Sequence, residues 1–182
     1  MFMRTKRLFL RPVFEEDWRG IYEGIAEEAI VRNLARAPWP YTEQDARDFC
    51  ARVASDPVRT RFAITVPEAQ GAIAGMIGFE RLDGASDELG YWIARKWQGR
   101  GFATEAVRGV IATARALGVE RLEAGHFLDN PASGKVLRKT GFVPTGAIET
   151  MTSAGRGGEP VACRRFILPL REEISELHPA AA

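Results

Sequence analysis

Gln98-Gly99-Arg100-Gly101-Phe102-Ala103-Thr104-Glu105-Ala106 is the stretch that decides the fold. Two glycines alternate with an arginine immediately before an apolar series at Ala103, Ala106, Val107, Val110, Ile111, Ala114 and Leu117. Spacings of three and four place these residues on one stripe of a helix. The glycines then stand at the helix N-terminus, where the first N–H groups have no partner inside the helix. Small residues let an anion approach those donors, the helix dipole favours negative charge there, and Arg100 adds a fixed positive charge. The stretch therefore reads as a phosphate or pyrophosphate cradle. No Gly-Lys-Ser/Thr follows the glycines, which excludes a Walker A loop. Thr104 stands where a dinucleotide fingerprint needs its third glycine or alanine, which makes that reading a poor one.

Working outward, Glu88-Leu89-Gly90-Tyr91-Trp92-Ile93 lies just before the cradle, and Asn130-Pro131-Ala132-Ser133 and Val136-Leu137-Arg138-Lys139-Thr140-Gly141-Phe142 lie after it. In this order the three blocks resemble the GNAT superfamily of acetyl-CoA-dependent N-acyltransferases, and within it the branch that acetylates ribosomal-protein N-termini (the RimJ/RimL type). The resemblance runs from about Thr5 to Leu170. The family's pattern Gln/Arg-x-x-Gly-x-Gly/Ala binds the coenzyme A pyrophosphate, and Gln98, Gly101 and Ala103 match it in place.

Bulk properties suit that resemblance. A chain of 182 residues predicts one domain over 1–182, with a mobile tail at 171–182. The hydrophobic fraction is 46% and the charged fraction 27%, as in ordinary globular proteins. A net charge of +1 argues against nucleic acid or an acidic membrane as partner. Cys50 and Cys163 have no metal-ligand spacing and read as packed thiols in a reducing compartment, so no metal is expected. Without an apolar run long enough for a membrane span or a leader, the expected location is the cytoplasm.

Coarse patterning predicts a strand at Leu8–Pro12, a helix from Phe14 to about Glu28, and a helix capped by Thr42 and Asp45 that runs to about Ser55. Strands follow at Arg61–Val66, Ala72–Leu82 and Glu88–Ala94, the second central because it is apolar on both faces. A turn over Gly84–Asp87 joins the last two. The cradle helix ends near Leu117 at Gly118, and a strand covers Glu120–Leu128. The next helix has Asn130 as N-cap, Pro131 at its first position and Gly141 as its stop. Strands at Val143–Thr150 and Pro160–Leu168 close the chain. The fold class is mixed α/β, with helices flanking a central, mostly antiparallel sheet, as the resemblance also implies.

Transfer from a thioester to an amine requires a neutral amine, N–H donors for the tetrahedral oxyanion, stabilisation of the departing thiolate, and close positioning of both substrates. The resemblance assigns cofactor binding to Gln98, Gly99, Arg100, Gly101, Phe102, Ala103 and Thr104. It assigns pantetheine pairing and an oxyanion N–H to the strand carrying Trp92 and Ile93, whose side chains otherwise read as core. Asn130 is an N-cap that the family also uses against the coenzyme. Many relatives carry a tyrosine where Leu137 stands here. The ribosomal-protein branch instead implies Ser133 as the group near sulfur, against its reading as a helix-terminus serine. Gly134, inside a helix, calls for a close neighbour such as the pantetheine arm. For the base, Glu88 is favoured over His126, a titratable strand residue that also reads as packed, with Glu149 or water as further candidates.

The expected activity is acetyl transfer from acetyl-CoA, a cosubstrate released as coenzyme A, to a primary amine in a ternary complex. The acceptor is a protein N-terminus or a small amine, and the protein is a monomer or homodimer. The alternatives are a non-catalytic acyl-CoA-binding domain, suggested by the missing tyrosine, and a dinucleotide-binding oxidoreductase, suggested by Glu123 about twenty residues beyond the glycines.

Overall fold

The computed structural model describes residues 1–171 except 57, 59 and 82–85. The expected tail beyond Arg171, and Gly84 and Ala85 of the expected turn, lie outside the described residues.

The run Ile73-Ala74-Gly75-Met76-Ile77-Gly78-Phe79 has no polar face, so the sheet is built around it. Its strand takes its place in the chain order β1 (Met3–Arg4), β2 (Phe9–Pro12), α1 (Trp18–Ile25), α2 (Glu28–Val31), α3 (Glu43–Ala54), β3 (Arg61–Val66), β4 (Ala72–Arg81), β5 (Asp87–Ile93), α4 (Phe102–Ala116), β6 (Arg121–Phe127), α5 (Pro131–Lys139), β7 (Val143–Thr152) and β8 (Pro160–Pro169). The eight strands lie in the order β1-β2-β3-β4-β5-β6-β8-β7. All neighbours are antiparallel except β5 and β6. One parallel pair in eight strands is not a doubly wound dinucleotide sheet, which removes the structural basis of the oxidoreductase alternative.

Two cores form, one on each face. Ala106, Val107, Val110, Ile111 and Ala114 of α4 pack with Ile77 and Phe79 of β4, Leu89 and Ile93 of β5, and Leu137 of α5. On the other face Ile21 and Ile25 of α1 and Cys50 and Val53 of α3 pack with Ala63, Met76 and Trp92. Both cysteines are buried thiols. Leu117 departs from the expected stripe: α4 ends at Ala116, Gly118 takes φ 75°, and Leu117 points outward at 52% exposure.

Local capping rules hold well. Thr42 and Asp45 bond reciprocally at the start of α3: Asp45 N–H donates to Thr42 Oγ1 at 3.2 Å, and Thr42 N–H donates to Asp45 Oδ2 at 2.8 Å. The first expected helix is instead divided. A 3-10 turn at Glu15–Asp17 leads into α1, and Glu27 is extended (φ −130°, ψ 129°), which redirects the chain into α2. The strand β1, two residues long, carries too little periodicity to be read from sequence.

The parallel pair positions the site. β5 and β6 meet only at Asp87↔Leu122 and Glu88↔Glu123. Beyond Glu88 they diverge, while β5 stays paired to β4 through Ile93. A wedge opens between Leu89–Ile93 and the end of β6. Among the described residues, backbone groups on the side of β5 away from β4 have no strand partner there.

Candidate active site

At the mouth of the wedge, β5 runs into the cradle. Gln98 Nε2 donates to Ile93 O at 2.9 Å, so this side chain fastens the loop to the end of β5. Gly99 and Gly101 take φ 74° and 79°, the left-handed region that favours glycine. Gly101 is the N-cap of α4 and offers no side chain to the first N–H groups of the helix. The Phe102 ring is buried against Trp97, 5.8 Å between centroids, so Phe102 presents only its N–H to the mouth. Ala103 and Thr104 are half-buried. The Arg100 guanidinium lies 4.9 Å over the Trp97 ring at the surface.

Arg7 belongs to this site although no sequence pattern marks it. Its Nη1 donates to Arg100 O at 2.9 Å, its Nη2 pairs with Glu105 Oε2 at 2.8 Å, and its guanidinium sits 4.8 Å over Phe102. Burial would raise the Glu105 carboxyl. Bonds from Thr5, the Arg7 N–H and the Arg7 guanidinium outweigh burial and hold it below the usual carboxylate range. Beside this clasp is a cavity of about 570 Å³ whose lining includes Lys6, Arg7, Gly101, Thr104, Arg108 and Lys139. Glu105 lines it too, paired with Arg7, which leaves Lys6, Arg108 and Lys139 as an excess of positive charge that suits an anion such as a polyphosphate.

The far wall of the wedge is the β6–α5 connection. Asn130 Oδ1 accepts the Ser133 N–H at 3.4 Å, as its N-cap reading requires. The Ser133 hydroxyl lies 2.9 Å from the Tyr91 hydroxyl, which reaches across from β5. Tyr91 was not among the expected site residues. Its signal is its place between Gly90 and Trp92 on the strand beside the cradle. Burial pushes its phenol up to about 12.

The remaining expected residues are placed as follows. The Trp92 ring turns to the α1 face, within 3.0 Å of where a Cβ on Gly24 would stand, and Ile93 lies in the α4-face core. The Trp92 backbone faces Met76 of β4, and the Ile93 backbone faces the wedge, where its carbonyl accepts from Gln98. Glu88 sits at the apex, where Arg165 Nη1 donates to its Oε1 at 2.7 Å. Arg165 also approaches Glu123 at 3.4 Å and Glu149 at 3.6 Å. Glu123 further accepts from Ser86 at 2.6 Å; that bond first, then Arg165 and Arg121, hold it low against burial. His126 is 9% exposed, with Nδ1 2.8 Å from Phe127 O and its ring 5.6 Å from Phe166. Its Nε2 is buried without a hydrogen-bond partner among the described residues. That nitrogen is also the neighbour Gly134 required: a Cβ on Gly134 would stand 2.5 Å from it. The imidazole explains this glycine without a pantetheine arm. Among the described residues no group of three or more His, Cys, Asp or Glu is placed to hold a metal, and no helix is long and apolar enough to cross a membrane.

Known proteins share this architecture. The uncharacterized N-acetyltransferase p20 of Bacillus licheniformis is 29% identical over 156 residues, covering 82% of this chain and 86% of its own. The crystal structure of a GNAT-family acetyltransferase from Bacillus anthracis superposes with a TM-score of 0.81 at 21% identity, over 94% of this chain and 100% of that one. RimL, a ribosomal L7/L12 alpha-N-protein acetyltransferase in complex with coenzyme A, gives 0.75 at 19% identity, over 93% and 98%. Residues 7–143 match the acetyltransferase (GNAT) domain as a family. That span contains the glycine cradle, the wedge and both of its walls, and the chain belongs to the GNAT acetyltransferase family.

Proposed function

We propose that this acetyltransferase uses acetyl-CoA and transfers the acetyl group directly to a primary amine, a protein N-terminus or a small amine, in a ternary complex. The observation that carries this reading is the wedge between β5 and β6 that opens beside an uncapped, glycine-lined helix start. The coenzyme A bound to RimL, a fold neighbour, supports the choice of cosubstrate.

The residues divide the work as follows. N–H groups of Gly99 to Thr104 take the pyrophosphate, with Arg100 and the Arg7 clasp beside them. Gln98 holds the loop to β5. Backbone of β5 on the side away from β4, the Ile93 N–H included, aligns the pantetheine arm, and an N–H there receives the developing oxyanion. Asn130 and Ser133 border the thioester from the far wall. Attack forms the C–N bond and the C–S bond breaks with its electron pair on sulfur.

Glu88 is the proposed acceptor for the amine proton. Its Oε1 already accepts from Arg165, so the free-amine fraction supplied by solvent also governs the rate. His126, with Nδ1 engaged and Nε2 sealed against Gly134, is a packing residue in this scheme.

The test is a panel of amines and N-terminal peptides incubated with acetyl-CoA, with thiol release and acceptor mass both measured. An acceptor gaining one acetyl group with one thiol released supports the proposal. Tight acetyl-CoA binding without turnover for any amine would make the protein an acyl-CoA-binding domain instead.

A further inference from the structure

A half-buried tyrosine bonded to the serine of the far wall is not needed to hold the fold. α5 is already fixed by its N-cap, by Pro131 and by Leu137 in the core. Yet the Tyr91 hydroxyl spans the wedge to Ser133 Oγ at 2.9 Å, and the Ser133 carbonyl lies 3.5 Å from the same oxygen. We propose that Tyr91 is a positioning residue: it donates to Ser133 Oγ and so leaves the Ser133 O–H to point into the wedge, at the sulfur of the bound thioester. The inference rests on the acyl-CoA reading of the wedge.

The direction of the bond follows from acidity and inventory. A phenol is a much stronger acid than an alcohol, so it is the better donor and the serine oxygen the better acceptor. Two acceptors, Oγ and the carbonyl of Ser133, lie on the same side of the phenol, which favours its proton pointing that way. Serine has a single proton, and with its oxygen engaged by Tyr91 that proton is free for the wedge.

A phenol pushed up to about 12 is a weaker acid than a thiol near ~8.5, so the tyrosine keeps its proton in this scheme. Its role is to orient. When the C–S bond breaks, the electron pair stays on sulfur, which accepts a hydrogen bond from Ser133. The sulfur is protonated afterwards, by the proton the amine has lost or by solvent. The arrangement places a hydrogen-bond donor beside the sulfur, although Leu137 of α5 offers none.

The experiment compares wild type, Tyr91→Phe, Ser133→Ala and the double variant. Coenzyme A binding is measured by calorimetry, the ionisation of the bound thiol by the ultraviolet absorbance of its thiolate against pH, and kcat and KM with one good amine. A hydrogen bond to a charged group is worth a factor of about ten or more. Each single variant should therefore lower kcat about tenfold, shift KM for acetyl-CoA by about twofold or less, and raise the bound thiol's pKa by about one unit. The double variant should be no slower than the slower single variant, because both changes remove the same oriented proton. A Tyr91→Phe protein that binds coenzyme A with wild-type kcat and thiol ionisation overturns the proposal. So do losses that multiply in the double variant. Failure of wild type to bind coenzyme A would instead overturn the acyl-CoA reading beneath it.

Discussion

Replacing Gly134 with alanine sets helix propensity against packing at one position. Alanine in a helix is favoured over glycine by up to about 1 kcal/mol. The new Cβ, however, would stand 2.5 Å from His126 Nε2, 3.0 Å from Cδ2 and 3.1 Å from Cε1. Ordinary carbon contact begins near ~3.5 Å, so the ring must retreat by about 1 Å. It has little room: Nδ1 is held at 2.8 Å from Phe127 O, and the ring lies 5.6 Å from Phe166, which is itself fully buried. Overpacking of this kind costs about 1–3 kcal/mol, and loss of the Nδ1 bond would add to that. The clash therefore wins, by about 1–2 kcal/mol, and Tm falls by about 2–8 °C for a chain of this size. In a His126→Ala background the obstacle is gone, and the same Gly134→Ala change should raise Tm. Thermal unfolding of the four proteins, followed by circular dichroism, reads the sign in each background. A rise in Tm in the wild-type background, or the same drop in both, would refute the reasoning and return Gly134 to an unexplained glycine.

Other perturbations test the cradle and its clasp. Saturation of wild type with acetyl-CoA at a hundredfold excess over Kd adds about 2.7 kcal/mol, a Tm rise of about 5–10 °C. Gly101→Val should lose that rise, since Gly101 holds φ 79° and a β-branched residue resists the left-handed region; an undiminished rise would place the ligand elsewhere. Glu105, held below its ordinary pKa in the folded protein, contributes stability that is complete above the unfolded value near ~4.3 and is lost as pH falls through the folded one. The Tm advantage of wild type over Glu105→Gln should thus be flat from neutral pH to about 5 and shrink in acid; an advantage constant down to pH ~3 would contradict the assignment.

Much of this site is encoded within a few residues and was legible as such. The α4 stripe, the Thr42–Asp45 box and the Asn130–Pro131–Gly141 frame of α5 are interactions between positions three to eleven apart, which backbone geometry alone brings together. The two left-handed glycines of the cradle follow from the same local rules. The order of blocks was enough to suggest the family, and the match over 7–143 agrees.

Tertiary structure decided what lies across the wedge. Strand divergence after Glu88 is a property of how β5 and β6 leave their shared register, and neither strand's pattern records it. Arg7 reaches Glu105 over 98 positions, Tyr91 reaches Ser133 over 42, and Arg165 reaches Glu88 over 77. Trp92 and Tyr91 differ by one position and so face opposite cores, a period-two consequence that became a role only once the elements covering each face were known. The sequence by itself determined which segments become helix and strand and where an anion meets a helix start, because those depend on neighbours along the chain. Which hydroxyl meets which, and which carboxylate is already paired, depends on side chains that meet only when the sheet and its two helical layers have closed.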